Sequence, residues 1–205
     1  MRKRSPSLHG NVPDRASVAV LVIDVINDFE FPGGEGLARR ARPIARPLAA
    51  LLRRARIAEV PVIYVNDNFG RWRSNFPSLV EHCAASRGAV LTSLLRPEPD
   101  DYFVLKLKHS GFYASPLELL LQSLGVDTLI LAGVTAESCV FFTACGAYLR
   151  DFELVIASDC VVAADPRRKR AALDHLRAIL GATIQTSPRI PFSTARRRKR
   201  RRATP

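Results

Sequence analysis

Short apolar runs, each closed by polar or glycine-bearing residues, punctuate the chain. Ala16 to Ile23 (ASVAVLVI) is nearly continuous and β-branched, the pattern of a central strand buried on both faces. Pro61–Val65, Asp101–Leu105, Thr128–Ala132 and Phe152–Ala157 repeat that pattern, and Thr183–Gln185 predicts a sixth strand at the sheet edge. Helical periodicity fills the intervals. Leu37–Ala58 places Leu48, Leu51, Leu52 and Ala55 on one face, with Pro43 and Pro47 expected to break or restart the helix and the longer piece beginning near Pro47. A short helix is predicted over Leu79–Ala85. Another runs through Leu124, with Ser115 as N-cap, Pro116 first and Glu118 completing a capping box. Gly133 ends the fourth apolar run, and a helix is predicted to open at about Thr135. The last helix covers Arg167–Leu180. Strands alternating with helices imply parallel order and right-handed crossovers, so the fold class is α/β: a three-layer α/β/α, doubly wound, mainly parallel sheet.

At 205 residues, with 47% hydrophobic and 24% charged, the chain suits one domain with a sizeable core. Its net charge of +12 sits at the ends: Arg196 to Arg202 supply seven positive charges and Arg2-Lys3-Arg4 three, which leaves about +2 between them. The expected organisation is a flexible basic arm over 1–15, one folded domain over 16–188 and a basic disordered tail over 189–205. The tail suits weak, non-specific nucleic-acid contact through counterion release, or simply a solvated segment, since no aromatics interleave its charges. The four cysteines (Cys83, Cys139, Cys145, Cys160) form no C-x-x-C pair, which argues against zinc and suits a reducing compartment. With no apolar run long enough to span a bilayer and no leader-like segment, a soluble, cytoplasmic protein without membrane contact is expected.

Three reactive side chains stand at corresponding places: Asp24 after the first strand, Lys106 after the third and Cys139 after the fourth. In a parallel sheet those ends share one edge, where ligands bind. A cysteine in the first turn of a helix, near a cation, is favoured as a thiolate, and a carboxylate beside it can carry a proton. Plainer accounts exist for each residue: a buried apolar thiol for Cys139 and a loop-capping acid for Asp24. Glu137 works against thiolate formation unless it points to solvent. The glycine-bearing loop Phe31–Gly36 matches neither phosphate-binding spacing.

Three segments resemble the isochorismatase-like cysteine hydrolases, the family that includes nicotinamidases and N-carbamoylsarcosine amidases. Leu21 to Phe29 (LVIDVINDF) is similar to the family's D-x-Q-N-D-F strand end, Val104 to Phe112 (VLKLKHSGF) to its K-x-x-x-S-x-F segment, and Ala132 to Ala144 (AGVTAESCVFFTA) to G-V-x-x-x-x-C-V-x-x-T-A. The resemblance spans about Ser17 to Ser187. It implies Cys139 as nucleophile, Asp24 as acid/base and Lys106 as the cation assisting the thiolate, with Lys108 the nearby competitor. It implies as well a non-proline cis peptide between Val134 and Thr135, and an oxyanion hole formed by the N–H groups of Thr135 and Cys139. The implied reaction is thiolate attack on an amide-like or ureido carbonyl, a thioester intermediate, and hydrolysis.

Two departures narrow the reading. Nicotinamidases carry D-x-H after the second strand, where this chain has Asp67-Asn68-Phe69, so no metal and no cofactor are expected, and His82 and His109 are read as ordinary polar residues. Ile26 stands where many members have Gln. Isochorismatases proper cleave a vinyl ether without a thiol, so Cys139 favours the amidase side. Phe29, Phe69, Trp72 and Phe112 are candidates for an apolar pocket wall around a small-molecule substrate. The resemblance also implies a homo-oligomer. The rivals are a vinyl ether hydrolase and a catalytically silent scaffold that binds nucleic acid or a protein partner.

Overall fold

The computed structural model describes residues 12, 14–67, 69, 70 and 75–192. Six parallel strands form one sheet: β1 (Val18–Ile23), β2 (Val62–Asp67), β3 (Tyr102–Lys106), β4 (Thr128–Val134), β5 (Glu153–Val162) and β6 (Thr183–Gln185), in the order β3-β2-β1-β4-β5-β6. From β1 the chain winds outward through β2 to β3, then crosses to β4 on the other side of β1. That reversal opens a crevice at the carboxyl ends of β1 and β4, the place where ligands bind in such sheets.

Alternate residues of β1 feed two cores. Val20 and Val22 point into one, packed under helices α1 (Gly34–Ile57), α2 (Phe76–Ala84) and α3 (Ala89–Leu94). Ala19, Leu21 and Ile23 point into the other, packed under α4 (Leu117–Leu124), α5 (Cys139–Tyr148) and α6 (Pro166–Leu180). Because both faces are covered, the central strands read as unbroken apolar runs.

Several elements differ from their expected bounds. Helix α1 is one unbroken element of 24 residues that contains Pro43 and Pro47. Pro43 is exposed and Pro47 half-buried, so the carbonyls they leave without an intrahelical donor lie toward water. The apolar stripe from Leu37 through Ala41, Ile44, Ala45, Leu48 and Leu52 to Ala55 stays continuous against the sheet. Packing of that stripe outweighs the local preference. Gly133 does not end β4. It lies inside the strand opposite Ile23 at φ 129°, where a Cβ would stand 2.0 Å from the Ile23 carbonyl oxygen. Only glycine lets β1 and β4 approach so closely there.

Helix α4 has Pro116 rather than Ser115 at its cap position. The Ser115 hydroxyl accepts from the Leu117 N–H (3.2 Å), but Glu118 turns away to pair with Arg150 (2.6 Å), so the capping box does not form. Strand β5 runs five residues past its expected end, with extra residues between Ile156 and Val161. There Asp159 accepts from both the N–H (2.6 Å) and the hydroxyl (2.7 Å) of Ser187. Arg54 donates to the Ser187 and Ile190 carbonyls, and its guanidinium lies 5.2 Å from the Phe192 ring centroid, so residues 187–192 are strapped across α1. At the other end Val12 packs against the second core and Asp14 accepts a hydrogen bond from the Tyr102 hydroxyl. The basic runs at 2–4 and 196–202, and Trp72, lie outside the described residues.

Candidate active site

Asp24 leaves β1 with a left-handed φ of 49°, a conformation that short polar side chains tolerate better than most. Its N–H donates to the Val65 carbonyl (3.0 Å) and its Oδ1 accepts from the Asp67 N–H (2.8 Å), so backbone and side chain are both pinned to the end of β2. The next turn is held by a residue that carried no sequence signal. Asn66, buried, donates through Nδ2 to the Ile26 carbonyl (2.6 Å) and accepts from the Ile26 N–H (3.3 Å). The Ile26 side chain is buried in the first core, and the polar link to this turn runs through its backbone.

Lys106 ends β3, in register with Asp67, and its side chain runs across the end of β2. Its Nζ lies 2.8 Å from Asp24 Oδ2, 3.1 Å from the Lys108 carbonyl oxygen and 3.6 Å from Cys139 Sγ. With Lys106 only 1% and Asp24 4% exposed, this is a buried ion pair in contact with the sulfur. Lys108 is exposed and contributes its carbonyl, so Lys106 is the lysine that the fold brings to the thiol.

Cys139 is the first residue of α5, which begins four residues later than the sequence suggests. Residues 135–138 form a turn instead: the Ala136 N–H donates to the Val162 carbonyl (2.7 Å), and the Ser138 and Val140 N–H groups both donate to the Thr135 carbonyl (3.1 Å each). The Val134–Thr135 peptide bond is cis. Among the described residues, the N–H groups of Thr135 and Cys139 donate to no backbone carbonyl. Glu137 faces neither the thiol nor open solvent. Its Oε1 accepts from the Ala164 N–H (2.7 Å), tying the turn to the start of α6.

The electrostatics correct one expectation. Burial pushes the Cys139 thiol up, the neighbouring Asp24 carboxylate raises it further, and Lys106 only partly opposes them, so it stands at about 12. The cation does not win because Asp24 already neutralises it at 2.8 Å. Lys106 itself is pulled down by burial, but Asp24, then Cys139 and Asp67, more than compensate and leave its ammonium above the ordinary lysine range. Burial and the neighbouring carboxylate thus favour the neutral thiol beside the Asp24–Lys106 ion pair.

The pocket-wall candidates separate. The Phe29 ring is fully buried in the first core, and Phe112 is buried in the second between Phe152 (ring centroids 5.9 Å apart) and the Arg150 guanidinium (4.9 Å). Both are packing residues because the loops that carry them fold inward. Phe69 is half-buried and meets the His82 ring edge-on (6.2 Å), and His82 in turn pairs with Asp28 (3.0 Å). His109 is not an ordinary polar residue. Its Nδ1 lies 3.7 Å from Cys139 Sγ and 3.4 Å from Ser138 Oγ.

Comparison with known proteins places the chain in a family. A family model described as Isochorismatase domain matches residues 18–188. The isochorismatase family protein YaaI of Bacillus subtilis is 35% identical over 176 residues, covering 86% of this chain and 97% of that protein. The ureidoacrylate amidohydrolase RutB of Methylobacterium radiotolerans is 28% identical over 200 residues, covering 82% of this chain and 76% of that protein. Among solved structures, N-carbamoylsarcosine amidase from Thermoplasma acidophilum superposes with a TM-score of 0.66 at 27% identity, covering 85% of this chain and 99% of that one. A match along the whole domain, with relatives named as amidohydrolases, establishes that the chain belongs to the isochorismatase family of hydrolases.

Proposed function

We propose that the chain hydrolyses a small amide or ureido C–N bond through a thioester on Cys139. The observation that carries this reading is the Asp24–Lys106 ion pair (2.8 Å) in contact with Cys139 Sγ (3.6 Å from Nζ). Asp24, charged and adjacent, takes the thiol proton as Sγ attacks the substrate carbonyl carbon. Lys106 offsets the negative charge that forms on sulfur. The carbonyl oxygen, becoming an oxyanion, is met by the N–H groups of Thr135 and Cys139, which among the described residues donate to no backbone carbonyl. Asp24 then gives its proton to the departing nitrogen, the C–N bond breaks and a thioester remains. In the second half Asp24 takes a proton from water, hydroxide adds to the thioester, and Cys139 leaves as a thiolate and recovers that proton. A neutral thiol in the free site fits a scheme in which deprotonation accompanies attack. The names of two similar proteins, a ureidoacrylate amidohydrolase and an N-carbamoylsarcosine amidase, support C–N hydrolysis over vinyl ether cleavage.

The test is a screen of primary amides, ureido acids and isochorismate against wild type and Cys139→Ala. Turnover of an amide or ureido acid that Cys139→Ala abolishes is expected. Turnover of isochorismate alone, surviving in Cys139→Ala, or no Cys139-dependent turnover of any compound, would overturn the reading.

A further inference from the structure

We infer that His109 is a second hydrogen-bond donor to the Cys139 thiolate, contributed by an exposed loop where Lys106 is contributed from the buried strand end. The inference shares Cys139 with the hydrolase reading but rests on contacts of its own.

His109 lies in the loop between β3 and α4, and that loop is held against α5 by close packing. The Gly111 N–H donates to Thr143 Oγ1 (3.0 Å). A Cβ on Gly111 would stand 2.7 Å from Val65 Cγ1, and one on Gly146 would stand 2.9 Å from Ser110 Oγ. With the loop seated, the His109 ring stacks on Phe142 (centroids 5.6 Å, planes 21° apart), which lies three residues along α5 from Cys139. The stack turns Nδ1 toward the helix start, 3.7 Å from Sγ and 3.4 Å from Ser138 Oγ. Lys106 Nζ approaches the same sulfur to 3.6 Å from within the fold. The sulfur thus has both a buried ammonium and an exposed imidazole within reach.

A thiol can donate its own proton to Nδ1. A thiolate can only accept, so as charge develops on sulfur the proton must lie on Nδ1 for the contact to persist. In that state Nδ1–H offsets charge that Lys106, already paired with Asp24, cannot fully meet. The Ser138 hydroxyl, which lowers the thiol, belongs to the same triangle. The charged or titratable groups facing this triangle are Cys139 at the start of α5, Lys106 at the end of β3 with Asp24 behind it, and Lys108 in the same loop. Glu137 is directed to Ala164.

The test is peptide-resolved iodoacetamide labelling of the full-length protein from about pH 8 to about pH 10, comparing wild type, His109→Phe and His109→Asn, with half-exposed Cys145 as an internal control. Phe keeps the stack and the steric cover but has no Nδ1, whereas the Asn amide nitrogen falls near the Nδ1 position. Losing one donor to a charged sulfur lowers the thiolate fraction about tenfold, and the more basic sulfur recovers part of that in nucleophilicity, so labelling falls about threefold in His109→Phe. His109→Asn should stay near wild type, and Cys145 should be unchanged in both. Labelling of Cys139 in His109→Phe at the wild-type rate across the range would overturn the inference, as would an equal fall in His109→Asn. Labelling needs no substrate, so the result stands apart from whether any amide is turned over. Once a substrate is found, a fall in kcat with KM unchanged is expected for His109→Phe, and a change in KM alone would count against a donor to the thiolate.

Discussion

Removing either member of the Asp24–Lys106 pair should cost far more stability than removing both. The two groups are 4% and 1% exposed and 2.8 Å apart. At an effective dielectric of about 20, unit charges at that separation attract by about 6 kcal/mol, while desolvating two ions costs several kcal/mol each, so the pair sits near break-even. Asp24→Asn leaves a buried ammonium without its counterion, and Lys106→Met leaves a buried carboxylate. Each should lose about 3–5 kcal/mol. The double variant buries no charge and keeps the Oδ1 acceptor for the Asp67 N–H, so it should lie within about 2 kcal/mol of wild type. For a chain of this size each kcal/mol moves the melting midpoint by about 2–4 °C, so each single variant should melt about 6–20 °C below wild type. Urea unfolding under reducing conditions, with unchanged m-values, gives the four free energies of the cycle. If the two single losses simply add in the double variant, the pair is not coupled and the account of the site is wrong. All three variants should be inactive on any amide that wild type cleaves, which separates recovered stability from chemistry.

Two further outcomes follow from the same geometry. Asn66→Ala removes both partners of the buried Ile26 backbone and should cost about 2–4 kcal/mol in urea unfolding, with kcat falling because the turn carrying Asp24 loosens; a variant as stable and active as wild type would refute the bracing role. Alkaline titration of stability should show a decline that begins near the ordinary thiol value of about 8.5, since folded Cys139 keeps its proton to about 12 while the unfolded chain has lost it; Cys139→Ser should flatten that decline once the same contribution from Cys160 is subtracted. The Lys106 contribution has the same sign but acts later: it is intact below the unfolded lysine value of about 10.4 and is lost only as pH climbs through the higher folded value.

The strand ends were legible because a buried parallel strand has an unmistakable apolar run, and whatever polar residue follows it must lie on the ligand edge. Asp24, Lys106 and Cys139 could therefore be found one by one. His109 could not, because its position depends on Gly111 and Gly146 letting a loop press onto α5, and a lone exposed histidine carries no local sign of that. Asn66 escaped for a similar reason: its partner is a backbone forty residues away. The thiol misled because proximity to a lysine was weighed without the burial that raises a thiol, and the carboxylate was read as a proton carrier and not as the lysine's counterion. Pro43 and Pro47 misled in the opposite direction, since local preference was weighed without the packing that overrides it.

The ion pair has a consequence for assembly as well as for chemistry. Among the described residues β3 is an edge strand paired with β2 alone, so its register is set by that single pairing and by the packing of its own side chains. A slip of one residue there would turn Lys106 to the opposite face of the sheet and leave both it and Asp24 buried without counterions. The misaligned strand is thereby penalised by the same two side chains that the proposed mechanism uses, and a chain that folded with this edge out of register would also lack the proposed site.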